Sequence, residues 1–160
     1  MLDAQIGHEK TLTGLMTALA GANIIYGSGL LESGISYSHA QLVMDNDFFR
    51  MIKYVLKGIP VNDETLAIDV IKELGPGNDY MLTDHTMKYM RNIGSAPDII
   101  DRNNRTGWEA VSNKDMATMA QEKAEYILKN HKPSVPISEE TMKKVHAIVQ
   151  EADEEADEAK

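Results

Sequence analysis

The sequence predicts a mostly α-helical chain that forms the C-terminal part of a (β/α)₈ barrel. Helical periodicity dominates its 160 residues, and only residues 22–26 have the composition of a buried strand. A single strand cannot satisfy its backbone N–H and C=O groups alone, so we expect its partner strands on chain outside this sequence. The length also falls well short of the roughly 250 residues of a complete barrel.

The first 60 residues supply the helix–strand–helix order of a barrel end. Leu12, Leu15, Met16 and Leu19 follow the i, i+3, i+4, i+7 pattern and predict an amphipathic helix over residues 6–20, ended by Gly21. The strand follows and is closed by Gly-Ser-Gly at 27–29. In a barrel, the loop after a strand faces the active site.

The remaining elements are predicted to be helices. Ser38 begins a capping-box pattern before a long helix that stops at Gly58. A further helix is expected from Asn62 to Gly75, with an apolar face of Leu66, Val70, Ile71 and Leu74. Others are expected from Thr83 or Asp84 to Met90, over 113–130, and after Ser138. Residues 95–112 are expected to be irregular apart from a turn at Trp108. We predict three regions: the last βα units at 1–60, a helical extension at 61–132, and a linker, final helix and acidic tail at 133–160.

Composition excludes several classes of function. The net charge is −9, and six of the acidic residues lie in the last ten positions, as in a solvated helix end. A basic stripe interleaved with aromatic residues is missing, which argues against nucleic acid as a partner. The absence of cysteine excludes disulfides and thiolate zinc sites and fits the cytoplasm. The sequence has no signal peptide and no apolar run long enough to span a membrane, so we expect a soluble protein.

Several motifs resemble one family. They are Leu2-Asp-Ala-Gln5, Leu19-Ala-Gly-Ala-Asn-Ile-Ile-Tyr-Gly27, Leu31-Glu-Ser-Gly34, Gln41-Leu-Val-Met-Asp45, Val61-Asn-Asp-Glu-Thr-Leu-Ala67, Gly75-Pro-Gly77, Asp84-His-Thr86 and Ser112-Asn-Lys-Asp-Met-Ala117. In this order they resemble the C-terminal third of the trimethylamine methyltransferase family. The resemblance implies a TIM-type (β/α)₈ barrel and methyl transfer from trimethylamine to the Co(I) corrinoid of a cognate partner protein, as in methylamine-dependent methanogenesis.

The same resemblance implies that the chain contains no catalytic residue of its own. Archaeal members carry pyrrolysine, encoded by an in-frame amber codon. We expect that codon upstream of Met1, with the reading frame opened downstream of it. No cofactor would bind this chain directly, since the partner supplies the corrinoid. We expect the chain alone to be inactive and the full-length parent to be a homo-oligomer.

Four residues are candidates for substrate binding: Gln5, Tyr26, Ser28 and Glu32. Tyr26 and Ser28 end the predicted strand, where barrels place functional side chains, and the Tyr26 ring could attract a methylated ammonium by a cation–π interaction. The alternatives are that Tyr26 is a core aromatic residue and Glu32 a solvated loop carboxylate. Asp3 and Gln5 lie just before the first helix, where Gln5 could position the amine or the activating group. The alternative is that they cap the helix.

Other polar residues are expected to have structural roles. The five histidines lack the spacing of a zinc-binding helix, so no protein-bound metal is expected. His85 could reach the barrel mouth or the partner, or make a helix-terminus hydrogen bond. Asp45 and Asp47 are expected to be a solvated pair on a helix surface.

Two other functions remain open from the sequence. The parent could be a betaine-type corrinoid methyltransferase without pyrrolysine, or the chain could be a non-catalytic helical interaction module. A barrel fragment is expected to expose a large apolar surface on residues 22–26 and the first two helices.

Overall fold

The computed structural model describes residues 2–91, 94–95 and 97–158, with only the backbone of residue 158. The chain divides into two compact units, Met1–Tyr126 and Ile127–Lys160. The helices are α1 Ala4–Leu19, α2 His39–Leu56, α3 Asp63–Leu66, α4 Ile68–Leu74, α5 Asp84–Tyr89, α6 Arg105–Val111, α7 Met116–Asn130 and α8 Glu139–Glu158. Strands β1 Leu30–Leu31 and β2 Ser36–Tyr37 form an antiparallel pair around a 3₁₀ turn at Glu32–Gly34.

The strand predicted at residues 22–26 does not form. These residues have no regular secondary structure, and Ile24 and Tyr26 are 83 % and 89 % exposed. A strand needs a hydrogen-bonded neighbour, and the two strands that the described chain does contain pair with each other. The sequence therefore identified an apolar segment but not its conformation in this chain.

Helices α1 and α2 pack together through small residues of α1. Gly14 and Ala18 are buried, and a Cβ at Gly14 would lie 3.0 Å from Ile52 Cδ1. Glycine at this position therefore lets α2 approach closely. The predicted α1 helix is confirmed, but its apolar stripe of Leu12, Met16 and Leu19 is half exposed, at 50 % to 59 %.

The core of the first unit is built on α2. Ala40, Met44 and Phe48 from α2 pack with Ile99 and with Ala120 of α7. Half of the predicted capping box at Ser38 forms, since the Ser38 hydroxyl accepts the Gln41 N–H at 3.2 Å. The Ser38 N–H donates to the Gly29 carbonyl at 2.9 Å instead of to the Gln41 side chain. One face of α2 therefore organises both the segment near residue 99 and the start of α7.

The single helix predicted from Asn62 to Gly75 is wrong in two respects. It is divided into α3 and α4 at Ala67, whose φ of +52° is left-handed. Its predicted buried face is half-buried or exposed instead, at Leu66, Val70, Ile71 and Leu74. Periodicity reports an apolar stripe, but burial also requires an element packed against it.

The other predicted helices form, and α6 is an addition. Thr83 caps α5 through the Thr86 N–H, and Ser138 caps α8 through the Thr141 N–H. Residues 105–111, where only a turn at Trp108 was expected, form α6. The Asn104 side chain caps this helix by accepting the Gly107 N–H at 2.8 Å. Ala96, within the same predicted irregular region, lies outside the described residues.

In the second unit, α8 carries an apolar stripe that is 39 % to 66 % exposed, consisting of Met142, Val145, Ile148 and Val149. Across the described parts of both units, no helix has the length and apolar content required to cross a membrane.

Candidate functional site

The candidate site surrounds the loop that joins residues 22–26 to β1. Gly27 and Gly29 both have positive φ, at +108° and +76°. A Cβ at Gly29 would lie 2.6 Å from Tyr37 Cε2 and 3.2 Å from the Ser38 carbonyl oxygen. Only glycine fits there without displacing β2, so the loop has one tightly defined anchor.

Two charged side chains from α1 and α2 hold this loop. Asp45, which is fully buried, accepts the Gly29 N–H at 2.8 Å through Oδ2 and the Gln41 side-chain N–H at 2.6 Å through Oδ1. Lys10 Nζ donates to the Gly27 carbonyl at 2.7 Å and lies 3.4 Å from Asp45 Oδ2. The backbone on both sides of Ser28 is therefore tied to an ion pair whose aspartate is buried and whose lysine is partly exposed.

A cavity of about 380 Å³ opens beside the held loop. Its polar lining includes Glu9, Lys10, Tyr26 and Glu32, and its apolar lining includes Ile6 and the two leucines of β1. The Lys10 charge is opposed by Asp45, whereas Glu9 and Glu32 add two carboxylates. The cavity is thus negative on balance and presents an aromatic ring, which suits a small organic cation.

The structure brings Tyr26 and Glu32 together and separates Ser28 from them. Ser28 lines a different concavity of about 390 Å³, together with Arg50 and Lys53. Glu32 also accepts the Ser36 hydroxyl at 2.7 Å, which fixes its carboxylate near β2. The alternative that Tyr26 is a core aromatic residue is wrong, because its side chain is almost fully exposed.

At the start of α1, Asp3 has the capping role that was the alternative prediction, whereas Gln5 lies inside the helix and does not cap it. Asp3 accepts the N–H groups of Gln5 and Ile6 at 3.1 and 3.3 Å. The Gln5 amide does not line the cavity but donates to Glu9 Oε1 at 2.9 Å. Gln5 can therefore act on the cavity only through Glu9.

His85 lies away from this cavity. Its Nε2 is 2.9 Å from the Glu64 carbonyl oxygen in α3, and its ring packs on Tyr89. The helix-terminus hydrogen bond, one of the two roles expected for His85, is the one observed. Within the described residues, no cluster of three or more metal-binding side chains occurs.

The prediction of a solvated Asp45–Asp47 pair is wrong, since both side chains are fully buried. Asp47 accepts the backbone N–H groups of Asp98 and Ile99 at 2.9 and 2.7 Å. Backbone donors distant in sequence therefore satisfy both carboxylates. A signal was available, because Gln41 and Asp45 are four residues apart on the same helical face as the apolar core residues.

Arg50 extends the Asp47 contact to the surface. Its guanidinium is 2.8 Å from Asp98 Oδ1 and 3.8 Å from Asp47 Oδ1. The hydrogen bond from Arg50 holds the pKa of Asp98 below its usual range, and Lys123 contributes by its charge. Asp47 and Arg50 together hold the 98–99 segment against α2.

The comparisons with known proteins identify the family. Residues 1–156 match the model of the trimethylamine methyltransferase family. The chain is 47 % identical over 151 residues to trimethylamine methyltransferase MttB of Methanosarcina barkeri strain Fusaro, and 47 % identical over 153 residues to MttB of Desulfitobacterium hafniense, covering 94 % and 96 % of this chain. The chain belongs to the trimethylamine methyltransferase family.

The comparisons also set the extent of the match. The chain spans about 30 % of the length of these curated relatives. A more distant relative is a glycine betaine methyltransferase of Desulfitobacterium hafniense strain Y51, 28 % identical over 133 residues, which cover 82 % of this chain and 28 % of the relative.

Proposed function

We propose that this chain forms the methylated-amine-binding part of a methyltransferase that takes a methyl group from trimethylamine. The observation that carries the proposal is the cavity shared by Tyr26 and Glu32 in a member of the trimethylamine methyltransferase family. A trimethylammonium ion spreads its positive charge over its methyl groups. An aromatic face and a carboxylate are the groups that attract such an ion.

In this proposal, Tyr26 and Glu32 bind and orient the amine rather than accelerate its reaction. The positive charge on nitrogen decreases as the methyl group leaves, so attraction to a carboxylate does not strengthen in the transition state. Loss of either side chain is therefore expected to weaken substrate binding more than it slows methyl transfer in an assembled enzyme.

The remaining machinery would lie outside this chain. We assign the methyl-accepting corrinoid to a partner protein, as the resemblance to the family implies. The cavities near residues 26–32, of about 390 and 380 Å³, have the size of sites for small molecules. We assign pyrrolysine and the neighbouring strands of a (β/α)₈ barrel to the part of the relatives that this chain does not cover. The exposure of Leu12, Met16 and Ile24 supports the barrel assignment, because a barrel fragment would leave these apolar groups uncovered.

A quaternary amine is the second candidate substrate, because one relative is a glycine betaine methyltransferase. Glycine betaine carries a carboxylate that would meet Glu9 and Glu32 in the cavity. The charge of the cavity therefore favours trimethylammonium over this zwitterion.

Calorimetric titration of the 160-residue chain with trimethylammonium tests the proposal. Tyr26→Leu should raise the dissociation constant about two- to fivefold, the effect of one exposed cation–π contact. Glu32→Gln should raise it by up to about fivefold. Tyr126→Leu and Glu73→Gln, which change exposed residues outside the cavity lining, are the matched controls.

Each competing function predicts a different result in this titration. Tighter binding of glycine betaine than of trimethylammonium would favour the betaine-type enzyme. Equal effects of the cavity variants and the control variants would refute the proposed site. A helical interaction module would show no preference for a cation.

A further inference from the structure

One member of the Lys10–Asp45 ion pair also lines the cavity. Lys10 contributes to the cavity wall and is 23 % exposed, whereas the Asp45 side chain is only 1 % exposed. A ligand in the cavity would therefore meet the lysine and not the aspartate. The positive charge of Lys10 is unfavourable for a cationic ligand unless it is neutralised from behind.

We propose that Asp45, which the ligand does not touch, determines the cation specificity of the cavity by neutralising Lys10. This inference rests on the proposed function, since it concerns the same cavity. Asp45 Oδ2 lies 3.4 Å from Lys10 Nζ, and the pair leaves the charges of Glu9 and Glu32 to dominate. Asp45 is thus a positioning residue that acts through Lys10.

The hydrogen bonds of Asp45 make its charge separable from its structural role. Asparagine at position 45 can still accept the Gly29 N–H through its oxygen. Its amide N–H₂ can donate to Gln41 Oε1, which accepts no hydrogen bond from the described residues, once the Gln41 amide rotates. Asp45→Asn can therefore retain both hydrogen bonds while losing the negative charge opposite Lys10.

Opposite changes in affinity distinguish this role from a purely structural one. Asp45→Asn leaves Lys10 uncompensated and should weaken trimethylammonium binding roughly tenfold, as expected for one added unit charge a few ångströms away at a protein surface. Lys10→Gln leaves the cavity more negative and should strengthen the same binding by a similar factor. A merely structural pair would give weaker binding in both variants.

The experiment measures dissociation constants for trimethylammonium, and for tert-butanol as a neutral compound of similar size. The wild-type chain, Asp45→Asn and Lys10→Gln are compared at low and high salt, with near-ultraviolet circular dichroism to confirm folding. Lys53→Gln and Asp63→Asn change the net charge equally but lie outside this cavity lining, so they control for long-range effects.

The inference is supported if the two cavity variants shift trimethylammonium binding in opposite directions, the shifts shrink with salt, and tert-butanol binding is unaffected. Shifts in the same direction, or equal shifts for the neutral compound, overturn it while leaving the proposed function intact. If Asp45→Asn does not fold, Lys10→Gln alone decides, because any weakening of trimethylammonium binding contradicts the inference. Failure of the wild-type chain to bind trimethylammonium overturns the proposed function and this inference with it.

Discussion

Removing the Asp47 carboxylate should be among the most destabilising single changes in the first unit. Asp47 is fully buried, and its oxygens accept two backbone N–H groups of the 98–99 segment at 2.7 to 3.0 Å. A hydrogen bond to a charged group contributes about 1.5–3 kcal/mol. Asp47→Ala removes the acceptor of both N–H groups and leaves the Ile99 N–H buried without it. We therefore expect a loss of about 3–5 kcal/mol in the free energy of unfolding.

The neighbouring Asp98 provides a matched control. Asp98→Ala removes an acidic side chain from the same contact but keeps the backbone N–H that Asp47 accepts. The Asp98 carboxylate is 45 % exposed where it pairs with Arg50, and such surface pairs contribute about 0–1 kcal/mol. Asp98→Ala should therefore cost no more than about 1 kcal/mol.

Equilibrium urea unfolding followed by tryptophan fluorescence measures both variants. Trp108 is the single tryptophan and lies within the first unit, so its signal does not mix the two units. The reasoning is refuted if Asp47→Ala costs less than about 1 kcal/mol, or if Asp98→Ala costs as much as Asp47→Ala.

Three further predictions follow from the same contacts. Gly29→Ala should lower the free energy of unfolding in urea by about 2–4 kcal/mol, because its Cβ would lie 2.6 Å from the tyrosine ring of β2 at a positive φ. Gly77→Ala, which is also at positive φ but in open space, should lower it by only about 1 kcal/mol. Equal losses in the two variants would rule out the steric argument. Arg50 lowers the pKa of Asp98, so the Asp98 carboxylate takes up a proton at a higher pH in the unfolded chain than in the folded chain. The resulting stability is present above pH about 4 and is lost as the pH falls through the lower folded pKa. Urea unfolding at several acidic pH values should therefore show a flatter decline of stability with falling pH in Arg50→Gln than in the wild type, and an unchanged decline would be the contrary result. Asp3→Ala should lower stability by about 0.5–2 kcal/mol through loss of the α1 cap, while calorimetry should show trimethylammonium binding unchanged; a large loss of binding would instead give Asp3 a role in the site.

Local signals in the sequence were sufficient for most helices. The Ser38 cap and the glycine after α2 set the limits of that helix, and the Asp3 side chain sets the start of α1. These features depend on residues within one or two turns of each other. Where a local choice had no visible signal, as at the left-handed Ala67, the prediction failed.

Long-range contacts explain what the sequence could not predict. Asp45 can be buried because it accepts the N–H of Gly29, which is 16 residues away. Asp47 can be buried because it accepts the N–H of Ile99, which is 52 residues away. The helical spacing places both carboxylates beside the apolar face of α2, but it does not show which backbone donors would satisfy them. The failure at residues 22–26 has the same origin, because a strand is defined by its neighbours.

The candidate site was partly predictable. The resemblance to the family directed attention to the loop after residues 22–26, and Tyr26 and Glu32 do share a cavity. Neither Lys10 nor Asp45 was predicted as part of the site, because their importance comes from the contact between α1 and α2. Ser28 was adjacent in sequence but faces a different concavity.

The most direct test of the central claim is an NMR titration of the uniformly ¹⁵N- and ¹³C-labelled chain with trimethylammonium, with tert-butanol as the neutral control. The account predicts saturable shifts of the Tyr26 ring and of the Gly27 and Gly29 amides for the cation, and little change at these groups for the neutral compound. Shifts centred elsewhere, or the same response to both compounds, would contradict the assignment of this cavity as the methylated-amine site.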